Sequence, residues 1–332
     1  METKQTVEER VRADLEAELG RDGFDGVSVV DLVPFGDGHS GITYELGLAG
    51  PAPVDRAILR LSPPGVRIAG PSDVGRQGRI MAALDREGLP VPAVLASASN
   101  PAVDGRSFAL VDFVAGEDWV QAASRRSHRH VASRAVEVLR RIHAVKIEAT
   151  GLDEEPRTPA KELGRWQKLI ARSPAELQVA SAPLLEALAR EAPQPSRPAL
   201  VHGDFHYGNL VFSNGQVVAV VDWEIAHLGE PLLDLGCLAV ATMRARYSPE
   251  PNPTGSVAIP LGELVDSYGA DRGTAAWFIA VTALKYAAII GYNLELARAG
   301  KLDDPIYEQL QTTMLGLVDD AFHLLEDGID AN

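Results

Sequence analysis

The spacing of apolar residues changes period once along this chain, and that change limits the folds open to it. Ile42, Tyr44, Leu46 and Leu48 occupy every second position, the period of a strand with one buried face. The runs Val27–Val33, Ala57–Leu61 and Ser107–Val114 have the same strand character, and the short loops between them predict an antiparallel sheet. Val7, Val11, Leu15 and Leu19 recur at i, i+4 and predict an opening amphipathic helix over 6–19 that stops at Gly20. A second helix is predicted from about Asp73 to Arg86.

Beyond Trp119 the texture turns helical over His130–Val145, Ala160–Ala171, Pro174–Arg190, Leu232–Arg246, Thr274–Ala299 and Pro305–Leu325. A single β island, 199–222, interrupts these helices. Within it Asn214-Gly215 is a two-residue hairpin signal between 209–213 and 216–222. The expectation is an α+β chain whose residues 1–115 form a small sheet-bearing unit and whose residues 116–332 form a larger, mainly α-helical one.

The chain has 332 residues, enough for two such units. A formal charge of −15, with no long run of Lys or Arg, repels polyanions and argues against a nucleic-acid partner. The opening segment is too charged for the apolar region of a signal peptide. The most apolar stretch, Ala275–Tyr292, carries Lys285 near its middle and reads as a buried helix, not a membrane span. Cys237 is the only cysteine and has no partner within the chain, so a reducing cytoplasm is the expected compartment.

The densest chemistry lies at His202-Gly203-Asp204-Phe205-His206-Tyr207-Gly208-Asn209, with Asp222-Trp223-Glu224 beyond the hairpin. Counting outward from the turn sets Asn209 opposite Val220 and places Asp222 on the same face, at a diagonal of roughly 7–8 Å. An amide oxygen and a carboxylate at that distance suit magnesium, which keeps several waters and takes one or two protein oxygens alongside phosphates. The placement depends on an unbroken strand register. Asp204 precedes the hairpin, positioned to accept the proton of a hydroxyl attacking a metal-bound phosphate. Aspartates are common in turns, yet a His-Gly-Asp…Asn match is expected only about 0.002 times by chance in a chain of this length.

This constellation resembles the catalytic core of the aminoglycoside phosphotransferase and choline kinase-like family, relatives of the protein kinases, and the resemblance covers most of the chain. It implies a two-lobed protein-kinase-like fold and an ATP-dependent O-phosphotransferase acting on a hydroxylated small molecule. By the same resemblance Asp204 is the catalytic base, Asn209 and Asp222 hold Mg2+, and His202 is structural. Glu224 matches the last acid of the motif, and its role, like that of His206, stays open. Gly229-Glu230-Pro231-Leu232-Leu233-Asp234-Leu235 is similar to the segment in which an aspartate braces the catalytic loop, which makes Asp234 structural.

Gly36-Asp37-Gly38-His39-Ser40-Gly41 is a weak motif alone. It precedes the alternating run 42–48 and not a helix, so it is similar to a kinase phosphate loop, with Gly36, Gly38, Ser40 and Gly41 covering the ATP phosphates. Arg60, in Arg56-Ala57-Ile58-Leu59-Arg60-Leu61, takes the place of the family's phosphate-binding lysine, an exchange that preserves charge and adds a planar fork of donors. Gln77 stands where the family usually places a glutamate partner for that cation, and its expected role is a hydrogen bond to Arg60. Asp112, Phe113 and Val114 resemble the hinge whose main-chain groups meet adenine.

Two alternatives stay open at this point: a nucleotide-binding pseudokinase, motivated by Gln77, and a metal-dependent hydrolase using His202, Asp204, His206 and Asp222. His128 and His130 read as a solvated basic patch, His143 as a packing or capping residue and Cys237 as core. Tyr286 and Tyr292 are expected to fill the core before lining a cleft. The wording around Arg60–Pro64 and Asp222–His227 is similar to family branches linked to lipid or acyl-CoA metabolism as well as to resistance enzymes, so the acceptor's identity stays open.

Overall fold

A computed structural model of the chain describes residues 4–35, 42–247 and 257–329. It divides into two units. The first comprises the residues through Gly116 with Glu148–Leu152 and Val218–Ala226, and the second comprises Glu117–Ile147, Asp153–Val217 and the residues from His227 onward.

The first unit contains α1 (Lys4–Arg21), β1 (Ser28–Pro34), β2 (Ile42–Ala49), β3 (Arg56–Leu61), α2 (Val74–Arg86), β4 (Val94–Val103) and β5 (Arg106–Asp112). Its strands form one antiparallel sheet in the order β1-β2-β3-β5-β4. The predicted alternation is realised on β2, where Tyr44, Leu46 and Leu48 are buried. Val11, Leu15 and Leu19 of α1 join them in one core with Leu59, Leu61, Phe108 and Leu110. The unit thus holds α1 as well as α2. The helix α1 runs through Gly20 to Arg21 because the stop falls after, not at, the glycine.

β4 was not expected. Its sequence, VLASASNPAV, has few β-branched or aromatic residues and no alternation, and β5 on its one paired edge, with α1 and α2 packed against it, holds it in place. Its turn into β5 is nonetheless local chemistry, with Asp104 and Gly105 both left-handed at φ 47° and 68°, the pair that a tight hairpin demands.

The second unit holds α3 (Trp119–Arg125), α4 (His128–His143), α5 (Pro159–Ile170), α6 (Ala175–Arg190), β6 (Ala199–Val201) and β7 (Leu210–Ser213). Next come β8 (Gln216–Val220), whose last residues belong to the first unit, and β9 (His227–Gly229). The rest is α7 (Leu232–Thr242), α8 (Leu261–Tyr268), α9 (Arg272–Arg298), α10 (Ile306–Gln309) and α11 (Gln311–Asp327). β7 and β8 pair as the expected hairpin, with Asn214 and Gly215 at φ 51° and 77°. α7 ends at Thr242, short of the predicted Arg246, and a 3-10 turn follows over Arg244–Arg246. The predicted helix 305–325 breaks at Leu310 into α10 and α11.

α9 is the spine of this unit. It is long and apolar enough to cross a membrane, but 72% of that span is buried inside the protein, packed against α5, α6, α7 and α11. Gly236 permits a close approach of α7 to α9, since a β-carbon there would lie 2.8 Å from the Phe278 carbonyl oxygen. α7 and α9 therefore deliver Asp234, Cys237, Lys285 and Tyr286 to one place.

Candidate active site

In the second unit the segment His202–Asn209 is held from beneath by Asp234. This carboxylate is fully buried and accepts from the backbone N–H groups of His202 (2.7 Å) and Gly203 (2.8 Å), while His143 Nε2 lies 3.1 Å from Oδ2. Burial pushes the Asp234 carboxyl up, and the His143 hydrogen bond and charge with the His202 contacts outweigh it, leaving it below the usual carboxylate range. Gly203, at φ 87°, supplies the left-handed turn that aims two successive N–H groups at one carboxylate.

Asp234→Ala is expected to destabilise the protein by about 3–5 kcal/mol, because it strands His143 and two buried N–H groups. A urea melt at neutral pH measures this. Because the folded carboxyl lies below its unfolded value, the stabilisation is present above about pH 4 and fades as pH falls through the folded pKa.

Asp204 projects from the same loop. Its Oδ1 accepts from the Tyr286 hydroxyl at 2.6 Å and from Lys285 Nζ at 3.2 Å. Lys285, 5% exposed, also donates to the Gly203 carbonyl. Oδ2 lies 3.4 Å from His206 Nε2. His206 Nδ1 accepts from Gly208 N–H at 3.1 Å, which assigns the neutral ring's proton to Nε2. Burial would raise the Asp204 carboxyl, but the Lys285 ammonium, His206 and the Tyr286 hydroxyl together hold it far below the usual range. Burial likewise raises the Cys237 thiol, to about 11, so it stays neutral and inert beside Lys285.

Asn209 lies in a 3-10 turn, Tyr207–Asn209, and not on the strand. Its Nδ2 donates to the Asp204 carbonyl at 3.0 Å, which leaves the amide oxygen as an acceptor. β8 ends at Val220, and Asp222 has left-handed backbone at φ 67°. The strand-face argument for pairing Asn209 with Asp222 therefore does not hold, since neither residue sits on the ladder that the argument needed. The two residues each offer an oxygen of the kind magnesium takes. Among the described residues no group of three or more His, Cys, Asp or Glu side chains converges as a metal site.

A cavity of about 330 Å³ opens in the second unit beside Asp204's neighbours, lined by His206, Tyr286, Trp119, Tyr247, Leu310 and Arg244 among others. Tyr286, expected as core, is thus both a wall of this cavity and a hydrogen-bond donor to Asp204. In the sequence Lys285 reads only as a charge in an apolar helix. A lysine inside the apolar stretch 275–292 is the signal that something acidic lies opposite. His143, set aside as a packing residue, meets Asp234 and Tyr268. Tyr292 receives Arg172 at its hydroxyl, and His130 contacts the Gly215 carbonyl.

In the first unit Arg60, on β3 between Thr43 and Ala109, reaches Asp222 Oδ1 through Nη1 and Glu224 Oε2 through Nη2, each at 2.6 Å. Gln77 is buried and its amide donates to the Pro71 carbonyl at 3.4 Å, so the acid beside Arg60 comes from position 224 and not from α2. The N–H groups of Asp112 and Phe113 are committed to the carbonyls of Ala93 and Arg56, and the Arg56 guanidinium lies 3.7 Å from the centre of the Phe113 ring. Gly36, Gly38, Ser40 and Gly41 fall outside the described residues.

A family model described as "Phosphotransferase enzyme family" matches residues 31–278. Acyl-CoA dehydrogenase family member 10 of Mus musculus is 33% identical over 224 residues, which is 63% of this chain but 20% of that protein. The chain therefore spans about a fifth of that relative's length. Among solved structures, a candidate aminoglycoside phosphotransferase of Ralstonia eutropha superposes with a TM-score of 0.75 at 22% identity, covering 95% of this chain and 98% of that one. An aminoglycoside phosphotransferase in ternary complex with ADP and hygromycin B gives a TM-score of 0.61 at 16% identity, covering 93% and 98%. These likenesses confirm the α+β, protein-kinase-like fold. With a buried aspartate bracing a His-Gly-Asp loop and a family match across most of its length, the chain belongs to the phosphotransferase enzyme family.

Proposed function

We propose that the protein is an ATP-dependent O-phosphotransferase that transfers the γ-phosphate of ATP to a hydroxyl of a small molecule. The observation that carries this reading is Asp204, whose Oδ1 accepts from Lys285 and Tyr286, next to a cavity of about 330 Å³ lined by Tyr286 and His206. The acceptor hydroxyl donates to Oδ2 and its oxygen attacks the γ-phosphorus as the bond to the ADP oxygen breaks. The proton passes to Oδ2 as the new ester bond forms. Magnesium, bound with ATP, would supply charge neutralisation at the phosphates; Asn209 in the second unit offers an amide oxygen and Asp222 in the first a carboxylate, each an oxygen of the kind it takes. Arg60 and the main chain at Asp112–Val114 serve the nucleotide.

The cavity supports a narrower acceptor class. Its described lining is mostly aromatic and aliphatic, includes Arg244 and contains no Asp or Glu. A polycationic aminoglycoside gains nothing from such walls, whereas a hydroxylated compound with an apolar body does. The name of the mouse relative supports placing hydroxyacyl compounds first among these. An ADP-release screen over hydroxyacyl compounds, aminoglycosides, macrolides, choline-like amines and sugars tests the reading. Turnover is expected with the first group, and turnover confined to aminoglycosides would overturn the acceptor assignment.

A further inference from the structure

Two departures from the family pattern, arginine at position 60 and glutamine at position 77, have one structural explanation. Arg60 is the fork of a three-membered cluster, with Nη1 on Asp222 and Nη2 on Glu224. A guanidinium presents separate donors at its two ends and can serve two carboxylates at once in fixed directions, which a lysine ammonium cannot.

The backbone around Glu224 is anchored on both sides. Val220 N–H donates to the Pro90 carbonyl at 2.8 Å, Trp223 is buried with its Nε1 on the Val220 carbonyl at 2.9 Å, and Arg76 of α2 holds the Ala226 carbonyl at 2.9 Å. Asp222, by contrast, sits in left-handed backbone, a conformation uncommon for a residue other than glycine and enriched at functional sites.

Building on the phosphotransferase reading, we propose that Glu224 is the positioning residue for Arg60, replacing the acid missing at Gln77, and that Arg60 keeps Glu224 while exchanging Asp222 for a nucleotide phosphate. Glu224 acts through Arg60, holding the second end of the fork so that the first is presented to the phosphate. Asp222 is thereby released when the nucleotide enters. On this account the glutamine at position 77 no longer argues for a pseudokinase, since the carboxylate it lacks is present beside Arg60 from another segment.

The test is calorimetric binding of MgATP and of adenosine to the full chain and to Glu224→Gln, Arg60→Lys and the double variant, each checked for an unchanged thermal melt. Glu224→Gln is expected to weaken MgATP about tenfold and leave adenosine within twofold, because only the phosphates meet Arg60. In the Arg60→Lys background it is expected to add little, since the fork is already lost. MgATP affinity that is unchanged or tighter in Glu224→Gln, or equal weakening of MgATP and adenosine, would overturn the assignment. Wild-type protein that binds adenosine and MgATP equally would remove the phosphate role of Arg60 and the proposal with it. Wild-type protein that binds neither would overturn the phosphotransferase reading itself.

Discussion

Asp204→Asn is expected to lower phosphoryl transfer by about 10²–10⁴-fold while leaving MgATP affinity within twofold. Asparagine is nearly isosteric and can still accept from Tyr286, so the loop that Asp234 braces keeps its shape. What it loses is charge at the acceptor hydroxyl. An amide oxygen at the Oδ2 position orients the hydroxyl weakly, and an amide nitrogen there repels its proton. Steady-state kinetics with an active acceptor, beside calorimetry with MgATP, separates the two effects. A parallel loss of nucleotide binding would show that Asp204 supports the fold around the site and not the transfer.

Lys285→Met has the second large expected effect. The side chain is nearly isosteric in its apolar stem, so packing within α9 is retained. The ammonium, however, is the cation that keeps Asp204 ionised in a buried setting, and it also holds the Gly203 carbonyl. Removing one partner of such a pair leaves an uncompensated charge and costs about 3–5 kcal/mol at neutral pH. The direction with pH follows from the same contact. With Lys285 present, the Asp204 carboxyl lies below its unfolded value, so its stabilisation is in place above about pH 4. Without the lysine, burial drives that carboxyl upward, and it sheds its charge as pH falls. The stability gap between wild type and Lys285→Met is therefore expected to be widest near neutrality and to narrow toward pH 4 in urea melts. A gap independent of pH would mean that Lys285 contributes packing alone.

Much of this arrangement was legible in the sequence because it is local. The Asn214-Gly215 turn, the alternation on β2, the i, i+4 ladder of α1 and the His202–Asn209 motif each declare themselves within a few residues. What escaped depends on partners far apart in the chain. Arg60 and Glu224 are separated by 164 positions, and no local pattern says that the acid expected at Gln77 arrives from a loop. Tyr286 sits in a run whose periodicity reports burial, but periodicity cannot distinguish a side chain against solid core from one bordering a cavity. The strand-face placement of Asp222 failed for a backbone reason, since strand alternation ends at Val220 and the left-handed residue that follows redirects the chain. β4 was missed because its Ala, Ser, Asn and Pro residues lack strand propensity, although Asp104-Gly105 carried a turn signal equal to that of the recognised hairpin.

Phosphorus NMR of wild-type protein with MgATP and a hydroxyacyl acceptor, run beside Asp204→Asn, addresses the central claim most directly. A phosphate monoester resonance growing in step with ADP in the wild type, and absent on the same timescale in the variant, is the predicted result. Ester formation at equal rates in both proteins, or release of inorganic phosphate alone, would contradict it.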